Sequence, residues 1–510
     1  MPEQSITMHI LLWLKGLFLT YEESVIYNFI LRLGNKVGNL FRKSCIRNLF
    51  VRKSKYEEGY EVSFFYYYFG KIAGAVLGFL KAIYNFFEVR SRGGIVRKAF
   101  DTIHDRGYFK FEYICAALMG FMLIVPHELW NNVYAVAMAV ALGVVYIIVS
   151  LSGKRGFGLN VKAIPVSMIA FLSAIVIGVF TTPDFMDGAR IALFYISSIV
   201  FTYVIYGSVN TKKSLKVFVT VISAALAVMC LYAMYQNHVG VAVDVRLTDI
   251  TANSGMPGRV YSTMANPNNF AEIIILVVPF VYAMILCSKS KLAKLAFLAI
   301  LGLSLATLAI TYSRSCYVAL VIATLVFVII YDWRLIIPLG ILAVLCVPFL
   351  PESIMNRIFT IGSMTDSSNS YRTYVWEGVI RLIKDNGILG IGIGPEAFVS
   401  TYPKYADIRA LTVMHSHMLY MELFVELGLL GFAGFMGFMY SSLKKAFSTV
   451  NNTSKTLRCM IIAGISSFAG ISFTACVEHI WFYPRVMFTF WVILGLMLAA
   501  VRMVKKQKAE

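Results

Sequence analysis

LAKLAFLAILGLSLATLAITYSRSCYVALVIATLVFVIIY, residues 292 to 331, holds two long apolar runs separated by TYSRSC. Each run is continuous, with none of the apolar/polar alternation of a barrel strand, so each reads as a helix of membrane-spanning length. A lipid interior offers the backbone no water, so a chain that crosses it satisfies its own hydrogen bonds as helices or as a closed barrel. The unbroken runs select helices. Between them, TYSRSC is too short to do anything but turn, and it fixes Arg314 at the tip of a hairpin.

The same pattern extends over most of the chain. Hydrophobic residues make up 59% of the 510 and charged residues 14%, with a mean hydropathy of +0.73. A soluble protein carries about 25% charged residues. Twelve spans are expected, at 112–127, 132–150, 163–181, 189–207, 215–236, 270–287, 292–311, 315–331, 334–350, 415–441, 459–478 and 482–501. The fold class is therefore all-α and polytopic, with about twelve transmembrane helices.

Charge orients the bundle. The net charge of +19 could suggest nucleic acid, but Lys and Arg gather between apolar runs, which is a topology signal. With the N-terminus inside, residues 1–111 hold 17 of the 46 basic residues and the other inside segments hold 18. The outside segments hold 11, six of them in the long loop 351–413, where the rule is weak. The short outside connection 182–188 carries Asp184 and Asp187 instead. Both termini are thus expected in the cytoplasm, in a multi-pass protein of the cytoplasmic (inner) membrane with no cleavable signal peptide. The eight cysteines are scattered, mostly within apolar runs, and show neither metal nor disulfide spacing.

Two regions follow from this layout. Residues 1–111 mix basic and aromatic residues, and Lys71 and Lys81 interrupt their apolar stretch. They read as one or two amphipathic helices on the inner face, attracted by anionic lipid; an extra hairpin or span at 62–88 is the rival reading. Residues 112–510 form the transmembrane domain. Its outside segments 237–269 and 351–413 are long, and long ordered loops usually carry function. WEGVIRLIKDNGI, with Val379, Ile380, Leu382 and Ile383, suits a short helix lying on the membrane.

The orientation gathers ionisable residues on the outer side. These are Arg259, Arg314, Arg372, His415 and His417, with Glu478, His479 and Arg485 at the last outer turn. A guanidinium is always charged and grips phosphate through a planar fork. In HSHMLYMELFVELGLLG, residues 415–431, two histidines precede an apolar run containing Glu422 and Glu426. On a helix, residues two apart point about 200° away from each other. His415 would then share a stripe with the glutamates and His417 would not, and the two could face one ligand only if the helix starts after them. Glu426 would lie roughly 13 Å below His417, as a hydrogen-bonding group inside the bundle. His417, at the water boundary, is the better proton acceptor. No carboxylate or thiol stands where a His-x-His metal site needs one, so no metal and no cofactor are expected. GILGIGIGPEAF, residues 387–398, reads as a compact turn.

Assembled, these residues resemble the O-antigen ligase and polymerase superfamily of polytopic bacterial glycosyltransferases. The features that carry the resemblance are His415-Ser416-His417 followed by Glu426, Gly428 and Gly431; Arg259 before Asn266-Pro267-Asn268; Ser313-Arg314; and Arg372 before Trp376 and the glycines 390, 392 and 394. Met418 stands where the family usually has a small polar residue. The resemblance covers about 245–445. It implies a C-type, metal-independent, inverting glycosyl transfer from an undecaprenyl-pyrophosphate-linked glycan to an acceptor glycan, lipid or wall component. His417 would be the general base. Arg314 would act on the leaving group, and Arg259, Arg372 and His415 would bind substrate. The contrasting function class is a transporter or flippase for lipid-linked sugar, which needs ionisable residues at the midplane of several spans. Nothing in the sequence separates polymerisation from ligation or from transfer to protein.

Overall fold

The structure is a computed structural model. It describes residues 63–91, 110–152, 164–243, 257–362, 367–451 and 453–509, with isolated positions between 28 and 102. The chain divides into two units, 1–62 and 63–510. The reading of residues 1–62 lies outside the described residues.

The described residues of the second unit form helices: α1 Phe64–Ser91, α2 Phe111–Ile124, α3 Val133–Leu151, α4 Val166–Thr181, α5 Phe185–Ser208, α6 Lys212–Val239, α7 Pro267–Cys287, α8 Lys291–Ile310, α9 Arg314–Asp332, α10 Ile336–Cys346, α11 Glu352–Phe359, α12 Ser367–Asn386, α13 Pro395–Thr401, α14 Leu419–Thr449, α15 Lys455–Ala475 and α16 Pro484–Ala509. Ten segments among them are long and apolar enough to cross a membrane. The chain is an all-helical, polytopic membrane protein.

Two of the expected spans, α2 and α4, are apolar helices of 14 and 16 residues, short of the ~20 that cross a bilayer unaided. Two others, α9 and α10, are joined by a single 3₁₀ turn at Trp333–Leu335 and form one apolar stretch, Arg314–Phe349. The chain nonetheless returns to the end where α9 began, because α11 meets the start of α9. Helix α1 covers the stretch interrupted by Lys71 and Lys81, and Tyr66–Ser91 within it has the length and apolar character of a span.

Burial sorts the helices. The apolar stretches of α7 and α16 are 83% and 89% buried, against 22% for α8. A helix apolar on every side belongs at the centre of a bundle, and α7 and α16 occupy it with α15. Helix α8 keeps Leu292, Leu295 and Leu298 outward. The start of α7 explains Asn-Pro-Asn: Asn266 is the N-cap, its side chain taking the Asn268 N–H at 2.8 Å, and Pro267 opens the helix where no N–H is required.

A second, smaller core stands over the end of α14. Val375, Val379 and Leu382 of α12 pack with Phe398, Tyr402, Ala410 and Val413. Of the apolar residues expected to face the membrane, Val379 and Leu382 are buried in this core and Ile383 packs against it. Ile380 is left exposed.

Candidate active site

Helix α14 starts at Leu419, so His415 and His417 belong to a turn and not to the helix. The stripe shared by His415 and the glutamates does not exist, and the two imidazoles meet, with ring centroids 4.4 Å apart. The turn is pinned from both sides. Trp376 Nε1 of α12 donates to Ser416 O at 3.1 Å, and the Ser416 N–H donates to Glu422 Oε2 at 2.6 Å. Glu422 is therefore a brace for the histidine turn. Met418 is the N-cap of α14 and supplies no side-chain cap. Ser416 Oγ bonds instead to both the Met418 N–H and the Met418 carbonyl, which explains how the chain does without a polar residue at 418.

Within this turn His417 sits at φ 55°, in the left-handed region. Two other non-glycine residues do the same among the described residues: Ser262 at φ 55° and Tyr312 at φ 53°. The first is three residues past Arg259, the second two before Arg314. Such conformations cost about 1–3 kcal/mol each and concentrate at functional sites. Ser262 is held there by Gln236, whose Oε1 accepts its N–H at 2.7 Å.

The half-buried His417 faces Tyr371, with centroids 6.1 Å apart, and its backbone N–H donates to His415 Nδ1 at 3.2 Å. His415 in turn approaches His479 at 5.4 Å and Phe482 at 4.5 Å. Burial, and then the charge of Arg372, push the His417 imidazole down to about 4. Burial, His417 and Arg372 take His415 to about 3, and burial with both neighbours lowers His479 as well. All three are neutral at pH 7, and His417 is free to accept a proton.

The arginines are connected. Arg259 is 8% exposed; its Nε donates to Thr311 O at 2.8 Å and its Nη2 to Asn268 Oδ1 at 2.6 Å. Asn268 Nδ2 donates to Glu478 Oε1 at 2.9 Å, and the same oxygen pairs with Arg372 Nη2. The Nε of Arg372 is buried without a partner among the described residues. A buried donor left unpaired is costly. Arg314 sits apart from the histidines, at the start of α9, where its Nη1 donates to Thr360 O at 3.0 Å. Arg485 is structural: it donates to Val125 O at 2.7 Å and to Thr263 O at 2.9 Å. The sequence gives Glu478 no role, and Arg357 has no motif around it to single it out. Arg357 is 7% exposed in α11 and donates from Nε to Tyr312 O at 3.1 Å.

Beneath the site, helix α14 breaks. Gly428 has φ 63° and ψ −167°, a combination reserved for glycine. The break frees two carbonyls, and the glycine-rich turn fills it: Ile391 N donates to Val425 O at 2.8 Å and Gly392 N to Glu426 O at 3.3 Å, while Leu429 N returns to Gly387 O at 2.8 Å. The Glu426 side chain is a bundle hydrogen-bonding group as expected, accepting from Gly394 N at 3.0 Å and Tyr195 OH at 3.2 Å.

A helical membrane bundle with histidines and arginines gathered at one end defines the class of protein. Residues 299–436 match the family described as O-Antigen ligase, a likeness over that stretch that supports the resemblance to the O-antigen ligase/polymerase superfamily. The matched region contains Arg314, Arg357, Arg372, both histidines of the turn and Gly428. No curated protein matches the chain. The family domain points to glycosyltransferase-like ligase or polymerase activity on lipid-linked glycans in surface polysaccharide synthesis.

Proposed function

We propose that this protein transfers or polymerises pyrophosphate-linked oligosaccharide carried on undecaprenol, at the outer face of the cytoplasmic membrane. The observation that carries the proposal is the pairing of a neutral, conformationally strained His417 with an adjacent Arg372 whose buried Nε lacks a partner among the described residues. One group accepts a proton; the other receives an anion. The acceptor hydroxyl attacks the anomeric carbon with inversion as His417 takes its proton. The bond from that carbon to the phosphate oxygen breaks, and the electron pair leaves with the pyrophosphate. Arg372 and Arg259 hold that leaving group, and their charge stabilises the negative charge that develops on it. Arg314, at the neighbouring turn, acts on the same group, and His415 orients His417 through the bond to its backbone. The acceptor is a glycan, a lipid or a wall component.

The test is the lipid-linked intermediate pool in cells carrying His417→Ala or Arg372→Ala, with membrane insertion verified by immunoblot. Loss of polymer or conjugate, with accumulation of lipid-linked donor, is expected from both. Normal product from both variants refutes the proposal.

A further inference from the structure

The described cysteines are free thiols. Cys230 lies against the hydroxyls of Ser304 and Thr307, and Cys476 against the Ser472 carbonyl one turn back. Cys287 and Cys459 differ, because they share a hydrogen bond between their two thiols. Cys287 is the last residue of α7, and Cys459 stands in the second turn of α15. These two helices run antiparallel. At one end Asn268 of α7 meets Glu478, just past α15, at 2.9 Å; at the other the thiols meet. Two contacts fix the register there. Cys287 Sγ donates to Lys455 O at 3.9 Å. That carbonyl lies four residues before Cys459, where an α-helix takes the Cys459 N–H, so the Cys287 sulfur sits over the turn that carries Cys459. Lys216 of α6 donates from Nζ to Cys287 O at 3.2 Å and holds the end of α7 in place. Cys459 is 0% exposed and Cys287 8%, and the connection that follows Cys287 is exposed from Lys289 to Lys291. The pair is therefore approached through Cys287.

We propose that Cys287 and Cys459 are a redox-responsive thiol pair that closes to a disulfide, joining α7 to α15 at the end of the bundle away from the histidines. The oxidant is a small disulfide of the glutathione class. Cys287 gives up its proton, and its sulfur attacks the glutathione disulfide, releasing one glutathione thiolate and leaving a mixed disulfide. Cys459 gives up its proton and attacks the Cys287 sulfur, releasing the second glutathione. Two protein thiols lose two protons and two electrons, and one glutathione disulfide is reduced to two thiols. The helices so joined are the two that present Asn268 and Glu478 at their opposite ends, so the disulfide restrains the sliding of α7 past α15 on which that bond depends. The inference concerns the far end of the bundle and does not rest on the glycosyl-transfer reading.

The test uses the full-length protein in nanodiscs with oxidised glutathione as the probe. After the reaction is quenched, remaining thiols are alkylated in dodecyl sulfate, so that burial does not mask them, and the digest is read by mass spectrometry. A peptide pair joined through Cys287 and Cys459, two hydrogens lighter than the separate thiol peptides, is expected. Dithiothreitol should return both cysteines to the alkylatable form. The oxidised protein should unfold at a higher temperature than the reduced one, because a cross-link restricts the unfolded chain. Cys287→Ser and Cys459→Ser should each abolish the linked peptide and the thermal shift. The decisive reading is made on the wild-type chain, so a variant that fails to fold leaves it standing. If both cysteines stay separately alkylatable after oxidation, the proposal is overturned. Glutathione retained on Cys287 with Cys459 still free overturns it too, because the pair then does not close. A link that forms only after the protein has been unfolded has the same meaning.

Discussion

Substituting Gly428 by alanine should separate the two halves of α14 from the turn that joins them. The new Cβ would meet Ile388 O at 2.5 Å, Leu389 C at 2.6 Å and Gly390 N at 2.8 Å. All three are backbone atoms and cannot swing away. The conformation itself, φ 63° with ψ −167°, costs an alanine about 1–3 kcal/mol. Relief of the clash requires the 388–392 segment to withdraw, which strips the Val425 and Glu426 carbonyls of their donors at about 1–3 kcal/mol each. A loss of about 3–9 kcal/mol follows. The assay is unfolding of purified protein in mixed micelles, with Gly240→Ala as the control. Gly240 also has a positive φ, 91°, but nothing lies within 4 Å of the point its methyl group would occupy, so it reports conformational strain without the clash. If Gly428→Ala unfolds like Gly240→Ala, the glycine-rich turn does not plug the helix break and the reasoning fails.

The acid limb of kcat/KM should fall well below the ordinary histidine value of about 6.5, because His417 is pushed down to about 4. Arg372→Gln removes a positive neighbour, so that limb should move to higher pH in the residual activity. Stability should have the same sign of pH dependence. His415, His417 and His479 bind protons more weakly folded than unfolded, so stability is full above about 6.5 and declines as the pH drops toward about 4, measured by thermal unfolding in detergent. Trp376→Phe deletes the donor to Ser416 O while keeping an aromatic ring; about 1 kcal/mol of stability should be lost, with a larger fall in kcat than in donor binding. Glu426→Leu leaves Gly394 N and Tyr195 OH without their acceptor and should cost about 1–3 kcal/mol per group in the same unfolding assay, whereas Glu426→Gln should cost less.

The bundle was legible because lipid imposes a one-dimensional rule: a span must be apolar for its whole length. The rule identified α5 to α9 and α14 to α16 from composition alone. It does not reach the packing of Val379 and Leu382 with Phe398 and Tyr402, because a helix covered by a local loop core has the same pattern as one resting on a membrane. The histidine turn illustrates a second limit. Whether His415 and His417 diverge or meet depends on where α14 begins. That is set by Trp376, Ser416 and Glu422, and the bond from Trp376 to Ser416 spans 40 residues of sequence. Asn-Pro-Asn was visible as a motif, and its meaning as an N-cap is local. The link from Asn268 through Glu478 to Arg372 is tertiary, and no spacing announces it. The contact of Arg357 with Tyr312 O is hidden in the sequence for the same reason, since a carbonyl accepts it and every residue has one.

The sharing of Glu478 Oε1 between Asn268 and Arg372 has a thermodynamic corollary. A single oxygen serving two donors communicates between them: withdrawing one donor lets the other shorten and strengthen its bond. Asn268 leads back to Arg259, and Arg372, after burial, lowers the basicity of His417. In the proposed mechanism, the grip on the leaving group and the proton affinity of the base would therefore be one linked quantity rather than two. Double-mutant cycles between Asn268 and His417 should be non-additive, although no bond joins those residues directly.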